Sequence, residues 1–357
     1  MVPKIAAGDQ EIGRGKSRHT FLDVFRGIGI LATVEIHVCG SVLPSLIRGS
    51  VQQTLLYSLT RCLLFAVPAF LMLTTLLQVR KVDRKVDWRE ILQKAAQNIA
   101  YPYFLWSLFY ILLAYKNHQI HVTLLQLLWN LCFGKAYGSL YFLRVLFQLL
   151  ILLPLISPLL RRRPSDRLIL VSTLVLTLAF YCLNRFVLRI PAIGSVIFWY
   201  LPGVGAGVWL GSHFDEIAAK LKSALWWTIP VSLISIFFYL PLALQEFSHQ
   251  NVNTFHYQVA EWCYTSCASL VLLFVAWKLS QTARISRLFE KLGANSMQIY
   301  LIHPFLLNFA ARLLPVEKLI PFWATLVIYP VLIVPICLGC AILCRRLKLS
   351  ALLFGRT

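Results

Sequence analysis

Charged residues are scarce in this sequence of 357 residues, and acidic residues are the scarcer kind. Asp, Glu, Lys and Arg together make up 13% of the chain, whereas soluble domains contain roughly 25%. Only 14 residues are Asp or Glu, and we find no long polar stretch, internal repeat or low-complexity tract. These absences exclude a soluble enzyme, a disordered chain and a fibrous repeat protein.

The common nucleotide-binding motifs are also missing. There is no P-loop pattern, and the run GVGAG at 203–207 has neither a preceding strand nor GxGxxG spacing. An ATP-driven pump and a dinucleotide site are therefore excluded. The nine cysteines lie mostly inside apolar stretches, which predicts buried thiols in helix packing and no metal site.

Apolar residues are abundant, at 59% of the chain, compared with about 45–50% in soluble domains. They fall into long runs, and a run of about 20 apolar residues is enough to span a membrane as a helix. The sequence therefore predicts an all-α polytopic membrane protein with about ten transmembrane helices. A shorter apolar segment, 122–134, is predicted to be re-entrant or interfacial. The predicted spans are 21–43, 54–79, 96–115, 140–160, 168–187, 194–211, 224–244, 257–279, 293–312 and 320–344.

The basic residues show which side each loop faces. With the N-terminus inside, 24 of the 34 Lys and Arg residues lie in inside segments and 7 in outside loops. This asymmetry follows the positive-inside rule, so it predicts that both termini are cytoplasmic. Most of the net charge of +20 then reflects topology, which argues against nucleic-acid binding. We expect a basic segment at 1–20, a transmembrane domain at 21–344 and a cytoplasmic tail at 345–357.

Ionisable side chains within the predicted spans are few, and each is a candidate for function because burying it in lipid is costly. The first span contains four of them. Arg26 and His37 are eleven residues apart and share a helix face, about 16 Å apart along the axis. Glu35 points to another side of the helix. The full set is Asp23, Arg26, Glu35, His37, Arg61, Arg144, Glu261 and His303.

Structural roles are an alternative for several of these residues. Arg144 and Glu261 can extend to the outer interface, Arg26 can be an interface anchor paired with Asp23, and His303 can be a core histidine. If they are functional, polar groups of five helices converge in the outer half of one bundle. In the sixth span Gly203, Gly207 and Gly211 are four residues apart, a spacing that predicts close helix packing.

Several motifs of the chain, in order, resemble those of the integral membrane acyltransferase-3 family, which O-acetylates bacterial envelope polysaccharides. The most specific are the Arg26-ten-residues-His37 pair and the Tyr300-x-x-His303 element. The usual Ser-Gly of the second span appears here as Thr74-Thr75, and the Arg-x-x-Arg before the third-span proline is replaced by Lys94 and Gln97. The other matching segments are VPAFLMLTT at 67–75, YPYFLWS at 101–107, GSLYFLRVLFQLL at 138–150 and WYLPGVGAGVWLG at 199–211.

The resemblance implies a cytoplasmic acyl-CoA donor, most often acetyl-CoA, and a sugar hydroxyl as acceptor on a polysaccharide or its lipid-linked precursor. It implies no permanently bound cofactor. A hydroxyl needs a base, and histidine titrates near neutral pH, so we assign that role to His37, with Glu35 as a weaker partner. Asp23 and Arg26 are the candidate donor-binding pair, since Arg suits phosphate and carbonyl oxygens.

The candidate acceptor-binding residues have two kinds of chemistry. Charged or polar side chains can hold an oxyanion or anionic groups, and aromatic rings can stack on sugar rings, as we expect also for Trp262. The set is Arg61, Tyr141, Arg144, Glu261, Tyr300 and His303. The resemblance implies that the protein lies in the bacterial inner membrane. Further expected partners are membrane lipid and either polysaccharide synthase subunits or a second copy of the chain.

Two other functions remain open from the sequence. A transporter for a glycan or its precursor would use the same polar interior, although the inverted repeat of broken helices typical of transporters is not visible. A non-catalytic partner of a polysaccharide synthase would tolerate loss of His37, whereas an enzyme would not.

Overall fold

The computed structural model describes residues 9–81, 87–116, 138–190, 193–313 and 321–355, together with residues 123, 127, 129 and 131. Within these residues the secondary structure is entirely helical, as predicted. The first helices are α1 (Asp9–Val42), α2 (Val51–Leu63), α3 (Ala66–Val79), α4 (Trp88–Ala95), α5 (Tyr101–Lys116), α6 (Tyr141–Arg161) and α7 (Asp166–Leu183). The remaining helices are α8 (Leu201–Ser212), α9 (Ile217–Phe247), α10 (Thr254–Leu279), α11 (Ala283–Ala294), α12 (Ser296–Leu313), α13 (Phe322–Arg346) and α14 (Ser350–Phe354).

Seven helical stretches of the described residues are long and apolar enough to cross a membrane. They are Thr20–Ser45, Val51–Val79, Tyr141–Arg161, Asp166–Leu188, Phe214–Phe247, Thr254–Leu279 and Phe322–Arg346. The other three predicted spans contain α5, α8 and α12, of 16, 12 and 18 residues, and none of them is among the seven. A helix of 12 residues rises about 18 Å, less than the roughly 30 Å of a bilayer core. The count of ten and the sidedness of the termini stay predictions.

Three predicted segments extend beyond the described residues. Residues 1–8 of the predicted basic segment 1–20 lie outside them, and α1 begins at Asp9. The predicted re-entrant segment 122–134 lies outside them except for four single residues. The predicted tail 345–357 is described as far as residue 355, and its helix α14 packs back onto the bundle, where the Trp106 indole N–H donates to the Leu353 carbonyl at 2.8 Å.

Helix α1 lies at the centre of the bundle. It packs against α2, α3, α10, α11, α12 and α13, and its residues Val24, Val34 and Val38 are at most 1% exposed. Close packing around the middle of α1 depends on glycine. A Cβ atom on Gly27 would lie 2.2 Å from the Phe289 carbonyl oxygen of α11, so no larger residue fits at this helix crossing.

The three glycines of the predicted sixth span have the packing role that their spacing predicted. They lie along α8 and face α3, where a Cβ atom on Gly207 would come within 2.4 Å of the Met72 carbonyl oxygen. Added Cβ atoms at Gly203 and Gly211 would likewise come within 3.3 Å and 2.7 Å of α3 side chains. The stripe therefore lets α8 and α3 approach closely along their whole contact.

One candidate span is interrupted near its middle. The stretch Val51–Val79 consists of α2 and α3, and helical structure lapses at Leu64. Pro68 explains the interruption, because proline has no N–H to donate to the carbonyl four residues earlier. The Tyr264 hydroxyl donates to the Cys62 carbonyl beside the break at 2.6 Å. Irregular backbone at membrane depth is tolerated where protein buries it or where it lines a cavity.

Candidate functional site

The interruption of α2 and α3 borders a cavity of about 180 Å³, here called the upper cavity. It lies among α1, α3, α6, α8, α10 and α12. Four predicted site residues line it: His37, Tyr141, Glu261 and Tyr300. Trp262, predicted to stack on sugar rings, lines it as well. The structure thus brings together residues that are as much as 263 positions apart in the sequence.

His37 lies on the wall of the upper cavity, in the second half of α1, and is half-buried. Predicted site residue His303 does not line the cavity. It lies next to His37, with 5.1 Å between the ring centroids, and is fully buried at 0% exposure. The two histidines therefore form a pair in which only His37 faces the cavity.

Ser139 and Tyr300 form one edge of the upper cavity. The Tyr300 hydroxyl donates a hydrogen bond to the Ser139 carbonyl, which joins α12 to the chain before α6. Ser139 is 3% exposed, and its own hydroxyl has no hydrogen-bond partner among the described residues. Buried hydroxyls are normally paired, so this unpaired hydroxyl on a cavity wall is suited to contact a bound molecule.

Aromatic rings form much of the remaining wall. Tyr141 hydrogen-bonds Tyr200, whose hydroxyl donates to the Gly194 carbonyl at 2.9 Å. The Trp262 indole N–H donates to the Trp199 carbonyl at 2.9 Å. Because each polar group on these rings already has a partner, the rings are held in place and present their apolar faces. A rigid aromatic wall of this kind suits a flat or ring-shaped ligand.

Glu261, on the wall of the upper cavity, lies within electrostatic range of Arg61. Arg61 pairs with Glu246 at 3.9 Å, hydrogen-bonds the Tyr57 hydroxyl, and lies 4.6 Å from the centre of that ring. Arg61 does not line the upper cavity. It faces a separate groove bordered by Tyr57, Glu246 and His249, so any contact it makes with an acceptor would be made outside the upper cavity.

The other predicted site residues lie elsewhere. Asp23 and Arg26 pair with each other at 2.7 Å, with about a third of each side chain exposed, and neither lines the upper cavity. Glu35 is half-buried on the side of α1 near Cys39 and does not line it either. Arg144 is half-buried in α6 and also lies off the cavity. Glu35 and His37 therefore lie on the same helix, but only His37 borders the upper cavity.

A second cavity, here called the lower cavity, has a volume of about 470 Å³ and lies among α3, α4 and α6. It borders the segment 80–95 that the charge pattern predicts to be cytoplasmic. Lys81 and Lys94 contribute to its lining together with Asp87 and Glu90, and Lys94 pairs with Glu90. This cavity is larger and more charged than the upper one.

Sequence reasoning did not single out Ser139, Trp199, Tyr200 or the lower cavity. The segment 194–211 was interpreted as one regular span, whereas Ile197–Tyr200 forms a 3₁₀ turn before α8. Pro202 just inside α8 is a signal for a helix start at that point. Ser139 carries no local signal, because its place on the cavity wall depends on residues far away in the sequence, such as Tyr300.

Comparison with known families gives one match. A family model described as an acyltransferase domain, acyltransferase-3, matches residues 19–345, nearly the whole chain and both cavities. No curated protein and no solved structure matches the chain significantly.

Proposed function

Because the chain belongs to the acyltransferase-3 family and is a multi-pass membrane acyltransferase, we propose that it moves an acyl group, acetyl in the first instance, from acetyl-CoA to a sugar hydroxyl. The acceptor is an envelope or exported polysaccharide, or its lipid-linked precursor. The setting is the inner membrane of a bacterium, with the donor on the cytoplasmic side. The observation that carries this proposal is His37, a histidine on the wall of a cavity whose lining also includes Glu261, Ser139 and several aromatic rings.

His37 is the general base in this proposal. Its unprotonated ring nitrogen takes the proton of the acceptor hydroxyl as the oxygen attacks the thioester carbonyl of the donor. The tetrahedral intermediate then collapses, the carbon–sulfur bond breaks, and the proton passes from His37 to the departing thiolate. The products are an O-acyl ester and free CoA. General-base assistance of this kind typically contributes about 10²–10⁴ in rate.

The acceptor side of the proposal rests on the aromatic wall. Tyr141, Trp262 and Tyr300 line the upper cavity, and Tyr141 and Trp262 are held by hydrogen bonds to neighbouring groups. Pre-ordered rings bind with a small entropy cost. We therefore assign them to a sugar ring, with Glu261 as a hydrogen-bonding partner of its hydroxyls.

The donor side rests on the opposite end of α1. Along the helix axis Arg26 lies about 16 Å and Asp23 about 21 Å from His37, and the guanidinium of Arg26 is oriented by its ion pair with Asp23. The arm of CoA is long and flexible, so its phosphates can stay near the basic end while the thioester reaches His37. Lys81 lines the lower cavity on the same predicted side, where Lys94 is paired with Glu90.

The direct test uses the purified protein in lipid nanodiscs with radiolabelled acetyl-CoA and envelope glycan as acceptor. Label should appear on the glycan, and free CoA should be released in equal amount. Mass analysis of envelope glycan from cells with and without the gene identifies the modified sugar. If neither assay shows acyl transfer, the proposed reaction is wrong.

The interrupted span Val51–Val79 favours a second candidate, a transporter for a glycan or its precursor, because broken helices beside a midplane site are typical of transporters. The first assay separates the two, since a transporter moves its substrate without consuming acetyl-CoA.

A reporter fused after Thr357 tests the predicted membrane topology. It should behave as cytoplasmic, and a periplasmic signal would contradict the predicted topology.

A further inference from the structure

The second histidine of the pair, His303, has one fixed and one unused ring nitrogen. Its Nδ1 lies 2.9 Å from the Ile299 carbonyl oxygen. A carbonyl oxygen only accepts hydrogen bonds, so Nδ1 carries the hydrogen and Nε2 carries the lone pair. The next residue, Pro304, has no N–H, which leaves the helix short of one donor at this turn. The tautomer of His303 is therefore set by the backbone of its own helix.

The Nε2 atom of His303 is buried and has no hydrogen-bond partner among the described residues. Neighbouring hydroxyls are already used. The Tyr110 hydroxyl donates to the Leu301 carbonyl at 2.8 Å and accepts from the Phe305 N–H at 3.2 Å. The Tyr300 hydroxyl, whose ring centre is 6.2 Å from that of His303, donates to a backbone carbonyl.

The ring of His37 is a further polar neighbour of His303. Its centroid lies 5.1 Å from that of His303, with an angle of 46° between the planes. At this separation one ring nitrogen of His37 and one of His303 can form a direct hydrogen bond after a small rotation of the rings. One water molecule can also bridge the two nitrogens. His37 lies between His303 and the upper cavity, so one side of its ring faces a fixed acceptor and the other faces the cavity.

We propose that His303 is a positioning residue: its Nε2 accepts a hydrogen bond from the ring N–H of His37 and thereby leaves the other nitrogen of His37 unprotonated towards the upper cavity. A neutral histidine has one N–H, and the hydrogen bond it makes selects the tautomer. His303 does not contact the cavity itself. Its catalytic consequence rests on the proposed function, in which His37 is the base, whereas its effect on the tautomer of His37 does not.

Two amide variants separate this role from a purely structural one. His303→Gln can place its side-chain carbonyl oxygen where Nε2 of His303 lies, but it loses the hydrogen bond that Nδ1 donates to the Ile299 carbonyl. His303→Asn reaches only the Nδ1 position, so it keeps a donor for the Ile299 carbonyl and removes the acceptor that faces His37. A structural role predicts that Asn is the better replacement. The positioning role predicts that Gln is.

The first measurement is the ¹⁵N spectrum of histidine-labelled protein in nanodiscs, with the His37 signals identified by their loss in His37→Gln. We expect one tautomer of His37 in the wild type and in His303→Gln, and a mixture in His303→Asn. An unchanged His37 tautomer in His303→Asn overturns the proposal, whether or not the protein transfers acyl groups.

The second measurement is acyl transfer. A histidine that is free to adopt the wrong tautomer loses much of its activity as a base; in the Ser-His-Asp triad the loss is about 10⁴. Since the link to His37 in this pair is weaker, we expect His303→Asn to lower kcat at least tenfold with little change in the KM for acetyl-CoA. His303→Gln should retain more than half of the activity. Better activity in the Asn variant than in the Gln variant overturns the positioning role.

The two proposals fail in different ways. If no acyl transfer is found but the His37 tautomer depends on His303, the proposed function is wrong and the pairing stands. If acyl transfer requires His37 but neither the His37 tautomer nor the rate of acyl transfer changes in His303→Asn, the function stands and the positioning role is wrong.

Discussion

The upper and lower cavities differ in size, charge and wall. The upper cavity is about 180 Å³, and its wall combines aromatic rings held by hydrogen bonds to backbone carbonyls with the unpaired hydroxyl of Ser139. The lower cavity is about 470 Å³ and carries Lys81, Lys94, Asp87 and Glu90. A fixed aromatic wall suits an uncharged ring, and exposed lysines suit phosphate groups. The two cavities therefore differ in the chemistry of the ligand that each would suit.

The sharpest test of the upper cavity is His37→Gln. Glutamine preserves hydrogen bonding but cannot take up and release a proton, so acyl transfer should fall by about 10²–10⁴ while thermal stability stays near that of the wild type. The measurement is transfer of labelled acetyl groups by purified protein, with binding of acetyl-CoA as control. If the variant keeps more than a tenth of the activity, the base lies elsewhere, and His303 and Glu35 are the next residues to test.

The donor end of α1 is tested by Arg26→Ala. Hydrogen bonds to charged groups contribute about 1.5–3 kcal/mol, so we expect the Kd for acetyl-CoA to rise roughly 10–100-fold, with no loss of folded protein. Lys222→Ala is the matched control, since Lys222 is exposed on the same predicted side and its removal also takes away one positive charge. Equal donor affinity in the Arg26 variant and the control would rule out a role for Arg26 in donor binding.

Gly207→Val should affect both cavities at once. Helix α3 contributes to the walls of both, and a Cβ atom on Gly207 would come within 2.4 Å of its backbone at Met72. Overpacking of this kind costs about 1–3 kcal/mol, so the unfolding temperature and the affinities for donor and acceptor should all fall. Gly339→Val, at a position with no atom within 4 Å of an added Cβ, should change none of them. If the two variants unfold at the same temperature, α3 and α8 do not depend on close packing.

The smallest expected effect concerns Ser139→Ala. The hydroxyl is buried, unpaired and on the wall of the upper cavity, and a hydrogen bond to a neutral group contributes about 0.5–1.5 kcal/mol. We expect the KM for the acceptor to rise about two- to tenfold, since 1.4 kcal/mol corresponds to a factor of ten. The KM for acetyl-CoA should not change. An unchanged acceptor KM would show that this hydroxyl does not contact the acceptor.

Several features were predictable because they depend on short stretches of sequence. The apolar runs predict helices in membrane-length segments, as seven of the described stretches show. The Gly203, Gly207 and Gly211 spacing predicts a close helix contact, which α8 makes with α3. The Asp23 and Arg26 pair follows from its three-residue separation on one helix. In each case the geometry of a single helix is sufficient for the argument.

Other features required the fold. Glu35 and His37 point to different sides of α1 by helix geometry alone, but only the fold shows that His37 is the one that lines the upper cavity. Arg61 was expected among the acceptor-binding residues, but it does not line the upper cavity and pairs with Glu246. Which of two neighbouring polar residues faces the cavity depends on how each helix is rotated in the bundle, and local sequence does not specify that rotation.

The sequence by itself determined an all-helical membrane protein, a family resemblance later matched over residues 19–345, and α1 as the helix richest in ionisable residues. These follow from hydropathy, residue spacing and motif order, which are local properties. Only the tertiary structure decided that His37 and His303 form a pair, that an unpaired Ser139 hydroxyl faces the same cavity, and that a second cavity lies among α3, α4 and α6. The reason is physical: these groups are far apart in sequence, and their distances and hydrogen-bond partners exist only after several helices have packed around α1.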